Sequence, residues 1–171
     1  MPSLLEALDE VQDSQSGKTY LDAISLHMLP FPSDMHDHTW EVTQVLPLLK
    51  DQCVDSPDDC QTMDYFEFML DNASDVNGEV WGSDSSFLDW WVHKVSTDLS
   101  LDSDAVAALY GDKDQDEHDS WNRVEAMEDY GLGLGIDHVP EIFINDVHQK
   151  AELPTTKSGW IELLEGAISG N

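Results

Sequence analysis

Basic residues are scarce in this sequence. Seven Lys or Arg stand against 36 Asp or Glu in 171 residues, a formal net charge of −29. Phosphate binding needs clustered cations, so nucleic acid is not an expected partner. An anionic membrane surface is disfavoured for the same reason. Long apolar runs are also missing, since none approaches the roughly 20 residues that span a bilayer. The acidic opening stretch MPSLLEALDEVQDSQ has no basic n-region and does not read as a signal peptide. No Ser or Cys has a recognisable nucleophile setting, which gives hydrolase chemistry little to stand on. There is no internal repeat, and no composition break that would separate independent domains.

What is present is a foldable pattern. Hydrophobic residues make up 40% of the chain and include six Trp. Their spacing is periodic, which fits poorly with disorder. The acidity therefore has three readings: adaptation to high salt, loose cation binding, or solubility.

The periodicity predicts mostly helix. Ser3–Val11 places Leu4, Leu5, Leu8 and Val11 near one face. The segment HDHTWEVTQVLPLLK repeats at Val42, Val45, Leu46 and Leu49, with Pro47 expected to kink or divide it. TMDYFEFML, SDSSFLDWWVHKVSTDL, SDAVAALYG, DEHDSWNRVEAMEDYG and SGWIELLEGAI read as further helices. The second of these carries a stripe of Leu88, Trp91, Val92, Val95 and Leu99, and Trp121 is expected inward on the fourth. Tyr20–Pro32 is largely apolar and reads as a buried strand stopped by Pro30 and Pro32. GIDHVPEIFIND and VHQKAEL read as a hairpin with an Asn-Asp turn. A small mixed sheet with helices on both faces is the expected α/β architecture.

The only cysteines, Cys53 and Cys60, lie in CVDSPDDC. A structural disulfide is the expected state, with free thiols and a displaced redox pair as the alternatives. Asp55, Asp58 and Asp59 would raise a thiol pKa and oppose reactivity. A bond would imply a secreted or other oxidising compartment, and free thiols would fit a soluble cytoplasmic chain. Asn72-Ala73-Ser74 matches a glycosylation acceptor. His36, Asp37 and His38 diverge on a helix, and the calcium-like spacing of Asp112, Asp114 and Asp116 fails at Glu117 and Arg123. GLGLG precedes an extended segment instead of following a strand, so it is read as a turn, not a dinucleotide loop. No metal and no cofactor is expected.

Val139-Pro140 before a hairpin, followed by one amphipathic helix, resembles the thioredoxin superfamily. The helical block of about residues 36–130 between elements of 1–35 and 135–171 resembles its DsbA-like branch, as does LHMLPFPSDMHDHTW. The resemblance implies one thioredoxin-like domain over 1–171, with Pro140 as a cis-proline and the Val139 backbone as the partner of an extended or unfolded peptide. It also implies a relation to thiol–disulfide oxidoreductases. The family's first strand and its Cys-x-x-Cys have no counterpart here, so the chain is expected to be redox-inactive, as a truncated relative or as a binding module that keeps the groove. An edge left open by a missing strand could be covered by dimerisation, but the sequence does not fix the oligomeric state.

Overall fold

The computed structural model describes residues 2–13, 17–25, 27–32, 37–78, 81–149 and 153–169. It is mixed α/β and mostly helical, with two small antiparallel sheets. In chain order the elements begin with α1 (Pro2–Leu8), β1 (Val11–Asp13), β2 (Lys18–Thr19) and α2 (Tyr20–Ala23). A helical series follows: α3 (Thr39–Thr43), α4 (Val45–Asp55), α5 (Thr62–Gly78), α6 (Asp84–Asp98), α7 (Ser103–Ala108) and α8 (Ser120–Gly133). Short 3₁₀ turns at Pro57–Asp59 and Lys113–Gln115 interrupt it. The chain ends with β3 (Phe143–Ile144), β4 (Val147–His148) and α9 (Lys157–Ser169). Among the described residues no helix is long and apolar enough to cross a membrane.

The chain forms two compact units, one of Met1–Met28 with His138–Asn171 and one of Leu29–Asp137. In the first, α1 packs on α9. Leu4, Ala7, Leu8 and Tyr20 are buried with Trp160 and Leu164, and Ile142 and Leu153 pack against them. The Trp160 indole donates to Ser3 Oγ at 3.2 Å, and the Tyr20 hydroxyl donates to Glu165 at 2.8 Å. The Glu165 carboxylate beside it, together with burial, raises the Tyr20 phenol above its ordinary pKa.

The expected strand over Tyr20–Pro32 is not formed among the described residues. Tyr20–Ala23 is one helical turn, and 27–32 has no regular structure. A local signal wins here: Thr19 caps the turn, and Asp22 accepts from the Thr19 backbone N–H at 2.9 Å, closing a capping box. Pro30 and Pro32 offer no N–H to a ladder. The single mixed sheet is accordingly replaced by two separate two-stranded ones, β1 with β2 and β3 with β4.

The second unit is a helical assembly. Val45, Leu46, Leu48 and Leu49 of α4, Tyr65, Phe68 and Val76 of α5, and Phe87, Trp91 and Val95 of α6 form its core with Val106 and Leu109. The α6 stripe thus runs through Phe87, not Leu88, which is only partly buried. Ser83 starts that helix in a capping box with Ser86. The division near Pro47 falls at Gln44 instead, and Pro47 sits in the first turn of α4, where a backbone N–H has no helical partner to lose. Trp121 is 38% exposed rather than inward, with the Lys113 ammonium 4.0 Å from its ring centroid.

The GLGLG stretch has a defined job. Gly135 takes φ +78°, its N–H donates to Leu132 O, and the Ile136 N–H donates to Gly131 O. This is a Schellman motif closing α8, and the left-handed backbone explains the glycine. At Gly131 a Cβ would fall 2.6 Å from the Phe31 ring, so glycine also permits that close packing.

Candidate functional site around Val139–Pro140

The Val139–Pro140 peptide bond is cis, as the family resemblance implies. The loop leads into a hairpin with a two-residue turn. Asn145 and Asp146 take φ of 49° and 64°, the left-handed backbone that such turns need and that Asn and Asp tolerate. The register pairs Phe143 with His148 and Ile144 with Val147. Beyond it, the Gln149 N–H donates to Ile142 O at 2.8 Å. Ile142 ties the hairpin to the α1–α9 core.

Val139 is 47% exposed, and its backbone N–H and C=O have no hydrogen-bonding partner among the described residues. Phe143 and Val147 are also exposed apolar side chains, at 38% and 62%. The loop and hairpin therefore present open backbone groups beside apolar side chains, which is what an extended peptide needs for pairing and anchoring.

Behind the loop lies a carboxylate with two imidazoles. The Glu141 side chain is only 8% exposed. Its Oε1 is 3.0 Å from His138 Nε2, and its Oε2 bonds His148 Nε2. The His148 ring stacks on Phe143, with centroids 4.8 Å apart and planes at 21°. Burying a carboxylate is costly unless it is paired, and the two imidazoles supply that pairing. His138 and Glu141 belong to a side-chain group with metal-ligating potential. Sequence reasoning singled out Val139 and Pro140 but not His138, Glu141 or His148. The His-x-x-Glu spacing was the available signal, and the cross-strand pairing that brings in His148 was not readable before the hairpin register was known.

The cysteines belong to the other unit. Cys53 and Cys60 are joined, with Cα atoms 4.4 Å apart, and tie the end of α4 to the start of α5. Thr62 Oγ1 lies 3.1 Å from Cys53 Sγ. A cavity of about 590 Å³ beside Cys60 is lined by Asp55, Asp58, Asp59, Asp64 and Asp102 among others.

The other sequence motifs have structural roles. Asn72 is buried within α5 and its Nδ2 donates to Phe68 O at 2.8 Å, so its amide is not presented for glycosylation. His36 lies outside the described residues; His38 stacks on Phe87 with centroids 3.7 Å apart. In the calcium-like stretch, Asp112 caps a 3₁₀ turn and Asp116 accepts from the Ser120 N–H at 2.6 Å. Arg123 and His118 both bond Asp51, at 2.8 Å each.

Comparison with known proteins gave no match among family models, curated proteins or solved structures.

Proposed function

We propose that the chain is a redox-silent peptide-binding module of thioredoxin-like descent. An extended or unfolded segment runs along the Val139–Pro140 loop and pairs its backbone with Val139. One observation carries this proposal: Val139 is half-exposed and its backbone N–H and C=O have no hydrogen-bonding partner among the described residues, next to the exposed side chains of Phe143 and Val147. Main-chain pairing supplies affinity without selecting a sequence, and the flanking apolar side chains supply a preference for apolar residues. The kinship with DsbA-like oxidoreductases rests on the Val-Pro loop, the hairpin and the following helix, because the two small sheets lend it no help. Thiol exchange needs a reactive thiolate, and both cysteines of the chain are bonded to each other among aspartates.

Fluorescence anisotropy with a labelled extended, apolar peptide tests the proposal. Val139→Pro removes the backbone N–H while keeping an apolar side chain. Binding is expected to weaken at least ~5-fold, about the net worth of one backbone hydrogen bond. The double variant Cys53→Ser, Cys60→Ser should bind as the parent does. Unchanged binding by folded Val139→Pro would refute pairing at this position.

A further inference from the structure

We propose that the outer edge of β3 is a second pairing point for the segment bound at Val139, and that this segment is a basic one that joins the hairpin as a third strand. This rests on the peptide-binding reading and adds the path and the charge of the partner.

The edge follows from the hairpin register. The Gln149 N–H donates to Ile142 O, which makes Ile142 and Gln149 a hydrogen-bonded pair. Bonded and non-bonded pairs alternate along antiparallel strands. Phe143 and His148, the next pair, therefore exchange no backbone bond. The Phe143 N–H and C=O turn away from β4, and no other backbone group among the described residues takes them. The sheet holds only β3 and β4, so this edge of β3 is unpaired within it. An edge of this kind is a template for another extended chain.

The same edge leads back to Val139, four residues upstream of Phe143. At ~3.3 Å per residue, a segment of about five residues reaches from one to the other. Side chains alternate faces along a strand, so every second residue of the segment packs beside the exposed Phe143 ring. Phe143 lies at the turn end of the hairpin, where an added strand frays, so this pairing is weaker than the one at Val139.

Charge selects the occupant. The chain carries 36 acidic residues against 7 Lys or Arg. Asp146 is exposed at the tip of the hairpin, and the nearby unit's Lys157 is engaged by Glu10. A second copy would bring another −29 to the edge and be repelled, whereas a segment with Lys or Arg at its ends is attracted and steered.

The test is anisotropy with labelled peptides that share a core of about five apolar residues and end in Lys, Ser or Glu pairs. The Lys-ended peptide should bind at least ~10-fold more tightly than the Glu-ended one at ~0.1 M salt, and the gap should narrow at ~1 M. N-methylation along the core should weaken binding at alternate residues only, since only every second N–H faces the edge. Phe143→Pro and Phe143→Ala both lose the ring, but only the first loses the N–H. The Pro variant should therefore bind ~3-fold more weakly than the Ala variant, within the worth of one backbone bond. Binding that depends on Val139 but has a single sensitive N-methyl position, or shows no preference for Lys ends, would overturn this inference and leave the peptide-binding reading standing. No binding by any of the peptides would overturn both. Sedimentation of the chain alone should show a monomer; a dimer lost in Phe143→Pro would give the edge to a second copy and overturn the basic partner.

Discussion

Removing the Cys53–Cys60 bond should cost stability by an amount that depends on salt. The bonded residues are seven apart in sequence, and closing so short a loop in the unfolded chain is worth ~2.5 kcal/mol by chain entropy. For a chain of this length that is roughly a 5–10 °C fall in melting temperature. Electrostatics works the other way. The bond holds Asp55, Asp58 and Asp59 near Asp64 and Asp102 around one acidic cavity. Each carboxylate pair at ~8 Å repels by about 0.5 kcal/mol in water. Without the bond the loop can spread and relieve that repulsion, so at low salt part of the entropic loss is returned. Screening shortens from ~10 Å at 0.1 M to ~3 Å at 1 M salt, which removes the relief. Scanning calorimetry of the Cys53→Ser, Cys60→Ser variant at both KCl concentrations should therefore show a larger stability difference from the parent in high salt. A difference that shrinks with salt, or a variant melting within about 1 °C of the parent in both, would refute this balance of terms.

Two further predictions concern the helical unit. Leu49→Ala opens the centre of its core, where Leu49 has no exposed surface, and should cost ~2–5 kcal/mol in urea unfolding; Val54→Ala, at 74% exposure on the same helix, should change stability by no more than ~0.5 kcal/mol. At Asp51, burial would raise the carboxyl pKa, but the hydrogen bonds from His118 and Arg123 outweigh it and hold the group below its ordinary value. A lowered carboxyl stabilises the fold above its unfolded value and loses that contribution as pH falls through the folded one. Asp51→Asn should thus cost under ~1 kcal/mol near neutral pH, since the side chain is 40% exposed and solvent screens the pair, and the gap to the parent should close in acid. Urea midpoints of both proteins from about pH 7 down to about pH 3 read it directly.

Helices announced themselves in the sequence because a 3.6-residue period needs only local spacing. Trp91 and Val95, Val124, and Trp160 with Leu164 are buried on the helices that their spacing predicted. Finer placement depended on neighbours that spacing does not contain. Phe87 displaced Leu88 from the core because it stacks against Trp91, with centroids 6.1 Å apart and planes at 12°. The segment from Tyr20 is rich in apolar residues and reads as a strand, but the Thr19–Asp22 capping box is a stronger local instruction. The loop at Val139–Pro140 was legible because a proline at a strand entrance requires an explanation. The His138, Glu141 and His148 group was not, since His148 reaches Glu141 only through the pairing of β3 with β4.

Backbone pairing at Val139 is most directly tested by amide chemical shifts. The labelled protein is titrated with an extended apolar peptide, and each backbone N–H is followed. A new hydrogen bond at the Val139 amide should move its resonance furthest, with smaller shifts at Glu141, Phe143 and Val147, and little change in α4, α5 and α6. Largest shifts confined to those helices, or an unmoved Val139 amide at saturating peptide, would contradict the proposed function.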